Sequence, residues 1–106
     1  RELIMNKQAM LRIKKLQQEM IQTQKEIEST EFSASSGPVT LVMYGKKEIK
    51  SVSIDKEFEF EDKDDIEMIE DAIVALSRQL ISEIEEYTEE KMSKYTSMFG
   101  GMGGLF

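Results

Sequence analysis

From residue 3 to 29 the chain repeats at helical spacing. Ala9, Ile13, Leu16, Met20 and Ile27, with Thr23 in line, fall three or four residues apart and make a heptad-like stripe on one face. At about 100° per residue, Lys7, Lys14 and Lys25 gather on the opposite side, Lys15 and Arg12 lie on the flank, and glutamines fill the surface. After Ser29-Thr30 the helical pattern stops. Glu31–Ser36 reads as a β-tolerant edge strand, Gly37-Pro38 as a turn, and Val39–Tyr44 as a β-branched strand covered on both faces. Gly45–Glu48 makes a four-residue hairpin connection, and Ile49–Ile54 returns with Val52 and Ile54 on one face. These three segments predict a small antiparallel meander.

Asp55–Glu61 is an acidic connector in which Phe58 and Phe60 are expected to anchor. Residues 62–96 predict a second, longer helix, opened by Asp62, Asp64, Asp65 and Glu67, with Asp64 and Glu67 spaced as a capping box. Its main stripe is Ile66, Ile69, Ile73, Leu76, Leu80, Ile84 and Tyr87, and Met68, Val74 and Ile81 widen the apolar surface. The expected fold class is therefore α+β, an α-β-β-β-α protomer with a three-stranded antiparallel sheet and a long C-terminal helix. It forms one domain over residues 1–96, followed by a flexible Gly/Met-rich tail over 97–106.

Length adds a constraint. A helix over 62–96 spans roughly 50 Å at 1.5 Å per residue, while a compact chain of this size is roughly 34 Å across. Such a helix either protrudes or packs on a second subunit, and its pattern predicts both. Ile66, Ile69, Ile73, Leu76, Leu80, Ile81 and Ile84 are the expected homodimer interface, Arg78 among them an expected interface ion pair, and the charged ends are expected to project as arms. An obligate dimer of this layout points to a binding protein rather than an enzyme.

Composition narrows the chemistry. The 106 residues include no Cys and no His, which excludes thiolate metal sites and removes the commonest general base. No nucleophile–base pair, phosphate-cradling glycine loop or EF-hand spacing is present, and the acidic residues of 57–65 read as a solvated connector. The eight methionines read as core filler. No cofactor, metal or small-molecule substrate is expected. No apolar run approaches the roughly 20 residues of a membrane span and no signal peptide is visible, so the expectation is a cytoplasmic protein without a membrane partner. The net charge is −7, yet residues 1–25 carry six cations against Glu2 and Glu19, while residues 55–71 carry ten acids against two lysines. A basic arm can meet a polyanion while the acidic segment, more than a Debye length of about 10 Å away, is screened from it.

Met5-Asn-Lys-Gln-Ala-Met, Leu16-Gln-Gln-Glu-Met20, the run from Val39 to Asp55, Glu67–Ala75, Lys91-Met-Ser-Lys94 and the Gly/Met-rich tail together resemble the YbaB/EbfC family of bacterial nucleoid-associated proteins over nearly the whole chain. The connection Gly45-Lys-Lys-Glu departs from the family in its second lysine, where a smaller residue is frequent. The resemblance implies a tweezer-like homodimer that binds double-stranded DNA with weak sequence preference through helical arms, in the cytoplasm at the nucleoid, with a role in nucleoid organisation or gene regulation. Lys7, Arg12, Lys14 and Lys15 are the leading DNA-binding candidates, followed by Lys91 and Lys94 near the tip of the second helix. No helix-turn-helix, zinc set or aromatic stacking platform is present, so contacts are expected to be with phosphates. The alternative is a prefoldin-like helical scaffold or holding chaperone that does not bind DNA.

Overall fold

The computed structural model describes residues 2–99. Helix α1 (Glu2–Ser29) leads into strands β1 (Glu31–Ser36), β2 (Val39–Tyr44) and β3 (Ile49–Ile54), which pair antiparallel in that order, and helix α2 (Lys63–Phe99) closes the chain. This is the α-β-β-β-α arrangement that the periodicity predicts.

Two boundaries differ from the pattern. Helix α2 continues three residues into the segment expected to be tail, because Tyr95 and Phe99 extend the apolar spacing by one more turn and both are buried. Residues 100–106, the rest of that segment, lie outside the described residues. The N-terminal cap of α2 is also shifted. Asp62, not Asp64, is the capping residue, since the helix begins at Lys63. Its Oδ1 accepts the Asp64 N–H at 2.8 Å, and Asp65 Oδ2 accepts the N–H groups of Glu61 and Asp62 at 2.7 and 3.3 Å. The reciprocal pair thus spans three residues, as a capping box requires.

One sheet face makes the core. The pairs Phe32–Met43, Ala34–Leu41 and Ser36–Val39 bring β1 and β2 side chains to the same side. Helix α2 lays Ile69, Leu76, Leu80 and Ile84 on that face, and Val39, Leu41 and Leu80 lose all contact with solvent. Tyr87 meets Phe32 edge-on at 5.3 Å. Phe58 anchors the connector on the cluster as expected, whereas Phe60 leans on Phe58 at 5.0 Å and remains exposed.

Helix α2 covers β1 and β2 but not β3. Val52 pairs with Leu41 and Ile54 with Val39, so both point to the core side, yet they stay 42% and 39% exposed. On α2, Ile66 and Val74 are exposed and Ile73 and Ile81 half-covered. By helical phase at about 100° per residue, they lie toward the side of Glu85, whose carboxylate meets Lys47 Nζ of the β2–β3 connection at 3.2 Å. The opposite flank, with Met68 and Ala72, faces the β1–β2 turn. The apolar side chains of β3 and of the Glu85 side of α2 therefore stay partly open to solvent.

Helix α1 takes little part in this core. It is fixed at its C-terminal end, where Gly45 passes so close that a Cβ would stand 1.8 Å from the Ile27 carbonyl oxygen. Gly45 N–H donates to Thr30 O at 2.8 Å and Lys46 N–H to Glu28 O at 3.3 Å. The same connection holds Lys47 at φ 67°, a left-handed conformation that costs a side-chain-bearing residue roughly 1–2 kcal/mol. From this footing α1 runs antiparallel to the end of α2, with Thr23 Oγ1 and Tyr95 OH 3.2 Å apart and Met92 among Met20, Ile21 and Gln24. Burial fades from Ile27 through half-covered Thr23, Met20, Leu16 and Ile13 to exposed Ala9. The molecule measures 78 × 21 × 15 Å with a radius of gyration of 21.1 Å, against about 13 Å for a compact chain of this length. The arm expected from helix length is present, and α1 supplies most of it.

Candidate nucleic-acid interface

A helix offers phosphates a row of cations only where the side chains are exposed and not already paired. Lys7, Arg12, Lys14 and Lys15 meet both conditions. All four are exposed, and none makes an ion pair or hydrogen bond with any described residue. Lys7 and Lys14 share one row along α1, and Lys15 and Arg12 lie on the adjoining flank, so the arm is cationic over about half its circumference. Their span along the axis is roughly 12 Å, enough to meet several phosphates of a duplex that carries a charge every ~1.7 Å.

Lys91 and Lys94 stand near the end of α2, on the same half of the molecule. Each lies over an aromatic ring, Lys91 over Tyr87 at 5.5 Å and Lys94 over Tyr95 at 4.9 Å. Such stacking restrains the side chains but leaves the ammonium groups in solvent. Lys25 and Lys46, absent from the candidates drawn from sequence, flank a shallow depression with Glu28 and Tyr44. Lys46 is partly neutralised by Glu48 at 3.1 Å. Only the fold could bring Lys46 beside Lys25, because the two lie on different elements.

The acidic segment of 55–71 is held away from this surface. The carboxylates of 55–71 surround the start of α2, and the arm borders its end, roughly 50 Å along the helix. That is several Debye lengths at physiological salt, with the length near 8 Å. On the outer face of the sheet, Lys50 Nζ donates to Glu31 Oε1 at 2.7 Å, and this contact raises the pKa of the ammonium group above its usual value. Arg78, expected in an interface ion pair, is exposed and makes no ion pair among the described residues.

The seven residues expected at a dimer interface divide in two. Ile69, Leu76, Leu80 and Ile84 are buried against the sheet of their own chain, while Ile73 and Ile81 pack half-covered at the margin of that cluster and Ile66 is exposed. Helix periodicity reports which residues are apolar, not which of two faces belongs to the protomer. Val52, Ile54 and Val74 are exposed apolar residues as well. Among the described residues no group of carboxylates is arranged to hold a metal ion, and no helix is long and apolar enough to cross a membrane.

Comparison with known proteins places the chain beside bacterial nucleoid-associated proteins. The chain is 38% identical over 101 residues to a nucleoid-associated protein of Dictyoglomus turgidum, covering 93% of this chain and 95% of that one. It is 42% identical over 83 residues to a nucleoid-associated protein of Lachnospira eligens, covering 76% and 70% of the two chains. A nucleoid-associated protein of Acetivibrio thermocellus is 37% identical over 94 residues, covering 87% and 81%. The model of the YbaB/EbfC DNA-binding family matches residues 4–99, which take in both helices and the sheet, and the chain belongs to that family.

Proposed function

We propose that this chain binds double-stranded DNA as a homodimer at the bacterial nucleoid, through phosphate contacts from its α1 arms. The observation that carries this reading is the set of four exposed, unpaired cations on a helix that projects from the fold. The family is a DNA-binding one and its bacterial relatives are named nucleoid-associated proteins, which supports the same partner and a cytoplasmic, nucleoid location. Neither name describes an enzyme. Lys91 and Lys94 add charge at the margin of the arm, and phosphate contacts of this kind position a protein on the duplex without reading its bases. Sequence preference is therefore weak and follows the shape of the duplex.

The dimer forms where the protomer is unfinished. We infer that the exposed branched side chains of Val52, Ile54, Ile66 and Val74 together make an apolar strip of a kind a monomer rarely leaves bare. A second copy related by a two-fold axis covers the strip with its own. Val52→Asp is expected to leave the protomer folded, because the side chain is already partly in solvent, and to shift the protein from dimer to monomer in sedimentation at micromolar concentration. A dimer that persists in this variant rejects this strip as the interface.

Phosphate binding has a direct signature. Fluorescence anisotropy of a labelled duplex is expected to give an affinity falling with log salt at a slope of about −4 to −7, near −0.9 for each phosphate neutralised by the two arms. An affinity that is flat with salt excludes this mode.

A further inference from the structure

The arm carries an apolar groove that the core does not use. Met10, Leu11 and Ile13 of α1 line it, Lys7 and Lys14 border it, and Met10 and Leu11 are 68% and 57% exposed. The two lysines stand about 10 Å apart along the helix axis with Met10 and Leu11 between them, and neither makes an ion pair with a described residue. The connector ahead of α2 has the inverse character. Phe60 is more than half exposed between Glu59 and Glu61, and these two acids, with Glu57, are exposed and unpaired among the described residues. Its backbone is already set. Phe58 N–H donates to Asp55 O at 3.0 Å, Glu57 N–H to Asp55 Oδ1 at 2.9 Å and Glu61 N–H to Asp65 Oδ2 at 2.7 Å, and Phe58 backs the Phe60 ring from the core. A segment held in this way loses little freedom on binding. Within one chain the groove and the connector cannot meet. Helix α2 sets the connector at its start and the arm beyond its end, roughly 50 Å apart, and the footing at Gly45 fixes the direction of the arm.

We propose that the groove of one arm receives the connector of a second copy, with Phe60 laid on Met10 and Leu11 and with Glu59 and Glu61 turned toward Lys7 and Lys14. Charge complementarity selects this occupant. An aromatic ring with an acid on each side matches an apolar floor with a cation on each side. Another α1 in the groove would bring its own surplus of lysines, and like charges at close range repel. The contact joins two different surfaces, so it leaves a free arm at one end and a free connector at the other, and copies add head to tail. It also covers cations of the arm. A duplex, with a charge every ~1.7 Å, then displaces the connector and releases the string. This last consequence rests on the duplex reading above, whereas the contact itself does not.

The test is the weight-average mass of the full chain in sedimentation, without DNA. At about 200 μM protein the mass in about 20 mM salt is expected to exceed that in about 300 mM salt roughly twofold, because screening shortens the reach of the paired charges. The connector variant Glu57→Lys/Glu59→Lys/Glu61→Lys and the arm variant Lys7→Glu/Arg12→Glu/Lys14→Glu/Lys15→Glu are each expected to lose this excess while keeping the circular dichroism of the parent. An equal mixture of the two is expected to regain it, since every arm then meets a connector of opposite sign. Both variants remain net negative, the connector exchange adding six positive charges to a net of −7, so bulk attraction does not account for the recovery. A mass that is the same at both salt concentrations overturns the proposal. So does an excess that survives in the connector variant, which assigns the groove to another occupant, and so does a mixture that recovers none of it. Because no DNA is present, the result is independent of the binding mode above.

Discussion

Exchanging Lys7, Arg12, Lys14 and Lys15 together for glutamate is expected to abolish measurable duplex binding while the protein remains folded. Residues 6–25 carry these four cations and Lys25 against Glu19, and the exchange turns this surplus of four positive charges into an equal negative one on each arm. Affinity for a polyanion is expected to fall by about three orders of magnitude or more at 50–100 mM salt, since every neutralised phosphate releases its share of counterions. Nothing inside the protomer depends on the four side chains, because none pairs with a described residue. Solvent-facing substitutions of this kind move stability by about 0.5 kcal/mol each or less, and acids near the start of α1 suit the positive end of the helix. Circular dichroism and thermal melting therefore accompany the anisotropy measurement. Binding within about threefold of the parent, by a protein with an unchanged melt, removes the arm from the interface.

The second large effect lies in the core. Leu80→Ala is expected to destabilise the chain by about 2–5 kcal/mol, read as a lower urea midpoint at an unchanged slope. Leu80 is fully buried at the middle of the contact between α2 and the sheet, with Leu76, Ile84 and Leu41 in the same cluster. Helix α2 lies on one face of a three-stranded sheet, so no second layer can close over a cavity there. Against a typical total of 5–15 kcal/mol for a small domain, the loss is a large part of the whole. The control Glu86→Ala, on an exposed position of the same helix, is expected to stay within about 0.5 kcal/mol of the parent. A loss below about 1 kcal/mol at Leu80 contradicts the assigned core.

Most of this architecture is legible from the chain because its periods are clean. The alternation of Val39, Leu41 and Met43 and the four-residue rhythm of Ile69, Leu76, Leu80 and Ile84 each give a single solution, and the strand limits match the structure residue for residue. Periodicity cannot say which apolar face is internal. Ile69 and Leu76 are as well suited to a partner helix as to a sheet, and only the placement of α2 over β1 and β2 separates them from Ile66 and Val74. The end of α2 is hidden for another reason, since glycines just after Phe99 mask the turn that Tyr95 and Phe99 complete. The cationic candidates are visible in the sequence as charge, but their freedom from ion pairs is a property of the fold.

The junction at Gly45 fixes how α1 is presented to solvent. With a glycine Cα pressed on the Ile27 carbonyl and hydrogen bonds to Thr30 and Glu28 around it, the first helix leaves the sheet on a welded bracket and not on a pivot. In the proposed dimer, two such brackets related by a two-fold axis would set one constant gap between the prongs. Such a pair would work as a gauge of fixed bore, sorting what it grips by girth before any letter of sequence is consulted.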